Sequence, residues 1–248
     1  MLRLMAITAH PDDEAANFGG SLRMYADRGV ETSVICLTPG QAASHRGGAK
    51  SDEELAAMRR KEFAAACEIL KVRQAVMLDY PDGRLHRQDT YHVVCELSQH
   101  IRELRPQVLL AFGPDGGVTG HTDHAMSSIF ATLAFHWAGR ANRYPDQLTN
   151  GRQAHQIQKL YYSASDFTLS GYPTVVSPPI TAMIDIGPHA KTKFAAFQAH
   201  ISQVALIPNL ERYMGHRRDQ ETYHLAAAVN LQTAIQETDL FSGISEKA

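Results

Sequence analysis

Two short clusters of histidine and acidic residues carry the chemistry that this sequence makes possible. The first is His-Pro-Asp-Asp-Glu at residues 10–14, and the second is His-Thr-Asp-His at residues 121–124. Two histidines and one carboxylate make a three-ligand catalytic metal site, which keeps an open position for water. Zinc in such a site lowers the pKa of that water to roughly 7. A second carboxylate can then remove a proton, and a further histidine can stabilise the reaction intermediate.

The elements that must position these clusters alternate between strand and helix. Short apolar runs predict strands at residues 2–9, 30–38, 74–80, 107–112, 158–165 and 180–186. Helical spacing of apolar residues predicts helices at 14–28, 51–72, 90–105, 121–139 and 189–203. Strands that alternate with helices of this length favour βαβ units and a parallel sheet. The prediction is an α/β fold with a mostly parallel sheet, helices on both faces and a single domain over residues 1–248.

Both clusters directly follow a predicted strand, the first strand and the fourth. In an open parallel sheet, ligands bind outside the carboxyl ends of the strands. We therefore expect side chains from both clusters to converge at one edge of the sheet, namely His10, Asp12, Asp13, His121 and His124. Each cluster alone has a simpler interpretation, since acids can cap a helix and histidines can be ordinary residues of a first helical turn. Their joint placement behind two strands of one sheet favours the metal site.

The composition argues against several other functions. The chain has 24 Lys and Arg residues against 26 Asp and Glu residues and a formal net charge of −2, which gives no sign of a nucleic-acid or membrane surface. Cys36, Cys67 and Cys95 lie far apart without a Cys-x-x-Cys pair, which is typical of free thiols in a reducing compartment. No signal-peptide pattern and no apolar run of transmembrane length is evident. We expect a cytoplasmic protein with no nucleic-acid partner and no membrane insertion.

At these motifs the sequence resembles the LmbE-like, or PIG-L, deacetylase family. That family carries Ala-His-Pro-Asp-Asp-Glu after its first strand, here residues 9–14, and a later His-x-Asp-His, here residues 121–124. The resemblance extends to the Arg- and Glu-bearing second helix at 59–72, the Asp-Gly loop at 78–85 and the helix ending in His-x-Ser-Gln at 191–203. It implies a Rossmann-like fold, without the Gly-x-Gly-x-x-Gly fingerprint of dinucleotide binding.

The resemblance also implies a role for each matching residue. His10, Asp13 and His124 would bind zinc, with iron as the possible replacement, Asp12 would be the general base, and His121 would assist the tetrahedral intermediate. The implied activity is zinc-dependent removal of an acetyl or related acyl group from an N-acetylated amino-sugar conjugate, in a homo-oligomeric enzyme. The alternatives are an amidase that acts on a sugar-thiol conjugate and a non-catalytic sugar-binding protein on the same fold.

Other residues admit two interpretations each. Arg46 and Asp82 are candidate substrate-binding residues, although Arg46 can also be a solvated loop residue and Asp82 a turn aspartate. His200 and Gln203 either support the site as hydrogen-bond donors or end a helix. Glu14 is assigned to a helix N-terminus, where a negative charge is mildly favourable. The loop at 39–52 lacks the Gly-Glu element common in the family, which leaves the substrate open.

Two unrelated functions also fit parts of the pattern. A response-regulator receiver places an acidic pair after its first strand, but such a domain has about half this length and gives the histidines no role. A non-haem iron oxygenase uses two histidines and one carboxylate. Those enzymes usually have antiparallel β folds, and this interpretation leaves Asp13 unexplained.

Overall fold

The computed structural model describes residues 1–169, 171–172, 176–208, 211, 219–230 and 236–246. Strands in this part of the chain are β1 Arg3–Thr8, β2 Glu31–Cys36, β3 Gln74–Met77, β4 Val108–Phe112, β5 Lys159–Ser163, β6 Ala182–Asp185 and β7 Gln220–Ala228. Helices are α1 Asp13–Asp27, α2 Asp52–Ile69, α3 Thr90–Leu104, α4 Thr122–Ala138 and α5 Ala190–Gln198. Within these residues, no helix is long and apolar enough to cross a membrane.

All of these strands join one seven-stranded sheet in the order β3-β2-β1-β4-β5-β7-β6. The pairs from β3 through to β5 are parallel, and β7 runs antiparallel to both of its neighbours. The predicted α/β fold with a mostly parallel sheet is therefore confirmed. The chain reverses its direction of travel across the sheet between β1 and β4, which is the topological switch point where ligands of open α/β sheets bind.

Strand β1 shows how the sequence specifies a sheet that is covered on both faces. Leu4 and Ala6 belong to the apolar core shared with α1, α2 and α5. Met5 and Ile7 belong to a second apolar core, which packs against α3 and α4. Successive side chains of a strand point to opposite faces, so a strand buried on both sides needs an unbroken apolar run. This packing holds the carboxyl end of β1 in a fixed position.

Two elements differ from the predictions. Strand β7 was not predicted, because Gln220–Ala228 begins with polar residues and ends in alanines and so lacks the β-branched run typical of a strand. The predicted helix over 189–203 ends at Gln198. His200 then takes a non-helical conformation at φ −81° and ψ 70°, and Ile201–Leu206 continues as a 3-10 helix. This break turns the chain toward the carboxyl ends of β1 and β2.

Candidate functional site

A cavity of about 510 Å³ lies at the switch point, and its volume is in the range of ligand-binding clefts. The loop after β1 supplies His10, Asp12 and Asp13, and the start of α4 supplies His121 and His124. The His10 ring centroid lies 4.8 Å from that of His121 and 5.2 Å from that of His124. The two clusters thus meet, as expected from their positions behind neighbouring parallel strands.

His10 lies among three carboxylates. Its Nε2 lies 3.1 Å from Asp82 Oδ1 and 3.5 Å from Asp123 Oδ2, and its Nδ1 lies 3.6 Å from Asp13 Oδ2. Burial lowers the pKa of His10, but the contacts with Asp123 and Asp82 and the charge of Asp13 outweigh it and raise the pKa to about 10. The cluster therefore attracts positive charge. A bound cation would displace the proton from Nδ1 and use its lone pair, while the hydrogen on Nε2 stays beside Asp82 and Asp123.

His124 is oriented by two contacts that leave one nitrogen free. Its Nδ1 lies 3.2 Å from the carbonyl oxygen of Gly116, which can only accept, so Nδ1 carries the hydrogen. Its ring stacks on Phe112 with a centroid distance of 4.0 Å and an interplanar angle of 5°. The remaining nitrogen, Nε2, lies 3.3 Å from Asp13 Oδ1. In the neutral ring, two acceptor atoms therefore face each other.

Asp13 is held as a carboxylate by its surroundings. Its Oδ2 accepts hydrogen bonds from the backbone N–H groups of Ala9, at 3.2 Å, and His10, at 2.8 Å. Burial raises the pKa of Asp13, but His124 and His10 outweigh it, and the pKa lies well below its usual range.

The Asp13 carboxylate lies between the two histidines, since its Oδ2 lies 3.6 Å from His10 Nδ1 and its Oδ1 lies 3.3 Å from His124 Nε2. Both histidines direct their other nitrogen at a carboxylate or a backbone carbonyl, which is the arrangement found around metal-ligating histidines. Two imidazoles and one carboxylate are also the donor types of catalytic zinc sites. The residues present therefore fit a divalent metal ion.

His121 differs from the other two histidines in its hydrogen bonding. It is the N-cap residue of α4, and its Nδ1 accepts a hydrogen bond from the backbone N–H of Asp123 at 3.1 Å. Burial and the neighbouring His10 and His124 lower its pKa, so the ring is neutral and Nε2 carries the hydrogen. Nitrogen atoms of His10, His121 and His124 do lie within 4.8 Å of one another. A hydrogen on Nε2, however, makes His121 a donor toward the cavity.

Asp12 occupies a strained backbone position with a φ of 106°, and a non-glycine residue in such a conformation costs about 1–3 kcal/mol. The Arg59 Nη2 lies 3.0 Å from Asp12 Oδ2, and the same guanidinium donates to the carbonyl oxygens of Pro11 and Gly40. Burial raises the pKa of Asp12 to about 6, although Arg59 acts to lower it. A carboxylate with a pKa near neutrality is suited to accept a proton.

The two candidate substrate-binding residues have different surroundings. Asp82 lines the cavity, but its Oδ1 faces His10 and its Oδ2 accepts from the Ala42 N–H at 2.8 Å. In this structure it therefore orients His10 and the loop after β2. Arg46 is not among the residues that line the cavity. Its guanidinium pairs with Asp52, at 2.9 Å, because the start of α2 is acidic. The substrate contact of Arg46 remains a prediction.

Two residues of the site, Asp123 and Arg59, were given no individual role from the sequence. Asp123 is fully buried and accepts hydrogen bonds from the N–H groups of Gly83, at 2.7 Å, and Leu85, at 3.1 Å. Its position between the two histidines of one motif was the available signal.

Glu14 and His200 were both considered from the sequence, but not as partners of each other. Glu14 is buried, and its Oε1 lies 2.7 Å from His200 Nε2. Glu14 does lie in the first turn of α1, as expected, and it also pairs with a residue distant in sequence.

Comparisons with known proteins agree on one family. The family model PIG-L, described as GlcNAc-PI de-N-acetylase, matches residues 5–135. The chain is 30% identical to 1D-myo-inositol 2-acetamido-2-deoxy-alpha-D-glucopyranoside deacetylase 2 of Catenulispora acidiphila, over 97% of each chain. It is 32% identical to mycothiol S-conjugate amidase of Streptomyces coelicolor, over 65% of this chain and 60% of the amidase.

Among solved structures, the N,N'-diacetylchitobiose deacetylase of Pyrococcus horikoshii has the same fold. It superimposes with a TM-score of 0.76 at 23% identity and covers 90% of this chain and 83% of its own.

Proposed function

The chain belongs to the PIG-L family, and from this membership and the geometry of its site we propose that it is a metal-dependent N-deacetylase. It removes the acetyl group from an N-acetylated amino-sugar conjugate. The observation that carries the proposal is the position of the Asp13 carboxylate between His10 Nδ1 and His124 Nε2, with a second carboxylate and an imidazole donor beside them. A binding protein without turnover would need the acceptor atoms for a metal but would have no use for that acid–base pair.

His10, Asp13 and His124 hold the metal in this proposal, with zinc as the expected ion and iron as the alternative. When bound, such an ion polarises a carbonyl group and lowers the pKa of water. Asp82 and Asp123 keep the His10 ring turned so that Nδ1 points inward. Gly116 does the same for His124 through its carbonyl oxygen.

Asp12 is the general base. It accepts a proton from the attacking water as the new C–O bond forms, and Arg59 holds its carboxylate in place. His121 Nε2–H donates a hydrogen bond to the carbonyl oxygen as negative charge develops there. The leaving nitrogen must gain a proton when the C–N bond breaks, and Asp12 carries the proton that it needs. The products are acetate and the free amine.

The substrate class follows from the relatives. The Catenulispora acidiphila and Pyrococcus horikoshii proteins are named as deacetylases of N-acetylated sugars. We therefore expect N-acetylglucosamine joined to a second group. The 32% identity with an amidase named for mycothiol S-conjugates makes a sugar-thiol conjugate the second candidate. Cytoplasmic location and a homo-oligomeric state belong to the same proposal, and light scattering tests the latter.

The experiment is a screen of N-acetylglucosamine conjugates with inositol, malate, a second sugar and a thiol-bearing acyl group, using zinc-loaded protein. Free amine and carboxylic acid are both quantified, because acetate identifies a deacetylase and a larger acid identifies the amidase. Asp12→Asn is the matched control and should lose on the order of 10²–10⁴ in kcat. If no conjugate releases amine while the protein holds one metal ion per chain, the proposed activity is wrong.

A further inference from the structure

The strained backbone of Asp12 is supported by one buried acid. The Asp12 N–H donates to Glu14 Oε2 at 3.0 Å. Residues held in sparsely populated conformations persist only where the surroundings fix them. This hydrogen bond, together with the guanidinium of Arg59, fixes the direction of the Asp12 carboxylate.

Glu14 is in turn held from a distant part of the chain. It is 0% exposed, as is His200, and His200 Nε2 lies 2.7 Å from Glu14 Oε1 across 186 residues of sequence. His200 Nδ1 has no hydrogen-bond partner among the residues that the structure describes. The contact with Glu14 is therefore the polar interaction that sets the orientation of the His200 ring. A buried carboxylate left without this partner would carry a substantial desolvation cost.

His200 belongs to a segment that also forms one wall of the cavity. Phe197, Gln203 and Leu206 line the cavity on either side of it. Ser202 is bound through its N–H and its hydroxyl to the Glu62 carboxylate of α2, each at 2.7 Å. The segment is thus anchored to α2, and the His200 ring connects it to Glu14.

We propose that Glu14 and His200 act as a positioning pair, which holds the Asp12 backbone and couples the direction of its carboxylate to the cavity wall formed by residues 197–206. The catalytic half of this inference rests on the proposed function, because it takes Asp12 as the general base. The conformational half concerns the Asp12 N–H alone and needs no substrate. Neither residue touches the reacting atoms, so each acts through Asp12.

The experiment compares Glu14→Ala, Glu14→Gln and His200→Gln with the wild type in full-length, metal-loaded protein. Glu221→Gln is the matched control, because Glu221 is also a buried carboxylate that accepts from α1 N–H groups, those of Gly20 and Ser21, at 2.9 and 2.8 Å. Glu221 has no contact with Asp12. Metal content, kcat, KM and the hydrogen-exchange rate of the Asp12 amide are measured for each protein.

Glu14→Ala should lower kcat about 10–100-fold, the usual effect of removing a residue that orients a functional group. KM and metal content should stay close to wild type, and the Asp12 amide should exchange about tenfold faster or more, since a lost hydrogen bond of ~1.4 kcal/mol corresponds to a factor of ten. Glu14→Gln should have a smaller effect, since its amide oxygen can still accept from Asp12. The double variant of Glu14 and His200 should be no slower than Glu14→Ala.

Unchanged exchange of the Asp12 amide in both Glu14→Ala and His200→Gln would overturn the inference, and so would an equal effect of Glu221→Gln. If Glu14→Ala does not fold, His200→Gln decides, and unchanged exchange of its Asp12 amide overturns the inference. Faster exchange in a chain that releases no amine from any conjugate would support the positioning pair and count against the deacetylase alone.

Discussion

His124 Nε2 lies 3.3 Å from Asp13 Oδ1, and with the His124 hydrogen on Nδ1 both of these atoms are acceptors. Two acceptors at this distance repel each other unless a positive charge lies between them. A proton on Nε2 or a bound metal ion would supply that charge.

The first prediction concerns this pair of residues. His124→Ala and Asp13→Asn should each reduce metal content sharply from about one divalent ion per chain, while the fold persists because both apolar cores are formed without the site. Metal analysis after dialysis, together with circular dichroism, measures both quantities. A His124→Ala protein with full metal content would show that the ligands are assigned wrongly.

The second prediction separates His121 from the ligands. His121→Ala should retain the metal and lose on the order of 10²–10³ in kcat, the usual effect of removing one donor to a developing oxyanion. Its Nδ1 is already bound to the Asp123 N–H, so only Nε2–H reaches the cavity. Steady-state kinetics and metal analysis on the same preparation give the answer. If His121→Ala loses metal and activity to the same extent, His121 is a metal ligand.

The third prediction concerns Asp123, which faces His10 and ties α4 to the loop after β3. Asp123→Asn should weaken metal binding roughly 10–100-fold, because the carboxylate fixes the His10 tautomer. Competition with a chelating dye measures the affinity. Asp115→Asn is the control, since Asp115 lies in the loop between β4 and α4 and its carboxylate accepts from Ser177. Equal affinities of the two variants would contradict the role of Asp123.

The fourth prediction concerns stability and pH at a residue away from the cavity. Burial lowers the pKa of His155 from 6.5 to about 4, and its Nε2 lies 2.6 Å from the Pro106 carbonyl oxygen. The unfolded chain binds a proton that the folded chain does not, so this stability is present above pH ~6.5 and is lost as the pH falls toward about 4.

His155→Gln removes that titration. The unfolding free energies of wild type and variant, measured by urea denaturation, should therefore converge as the pH falls, by up to about 2–3 kcal/mol between pH 7 and pH 4. If the unfolding free energies of the two proteins differ by the same amount at every pH in this range, the lowered pKa of His155 is contradicted.

The sequence predicted the location of the site well, and the reason is topological. His10 follows β1 and His121 follows β4, and these strands are neighbours at the switch point of the sheet. Knowing which strand precedes each motif was therefore enough to predict that the two histidines lie close together. Roles that depend on hydrogen bonds were not predictable in this way. Whether His124 or His121 presents a lone pair is decided by the Gly116 carbonyl and the Asp123 N–H.

The partners in long-range contacts between buried polar residues could not be predicted from the sequence, although His200 was a candidate hydrogen-bond donor to the site. The pairing of Glu14 with His200 spans 186 residues, and no local pattern encodes a partner at that distance. The antiparallel strand β7 could not be predicted for a related reason. Its place between β5 and β6 is stabilised by tertiary contacts that local strand propensity does not reflect.

The most direct test of the account is a metal titration of the stripped chain. The protein is freed of metal with a chelator, zinc is added in steps, and acetate release from the best N-acetylated sugar conjugate is followed, with Asp12→Asn in parallel. We expect no turnover without metal, a rise in turnover that ends at one ion per chain, and bound metal with turnover reduced on the order of 10²–10⁴-fold in Asp12→Asn. Full acetate release by the metal-free chain would contradict it.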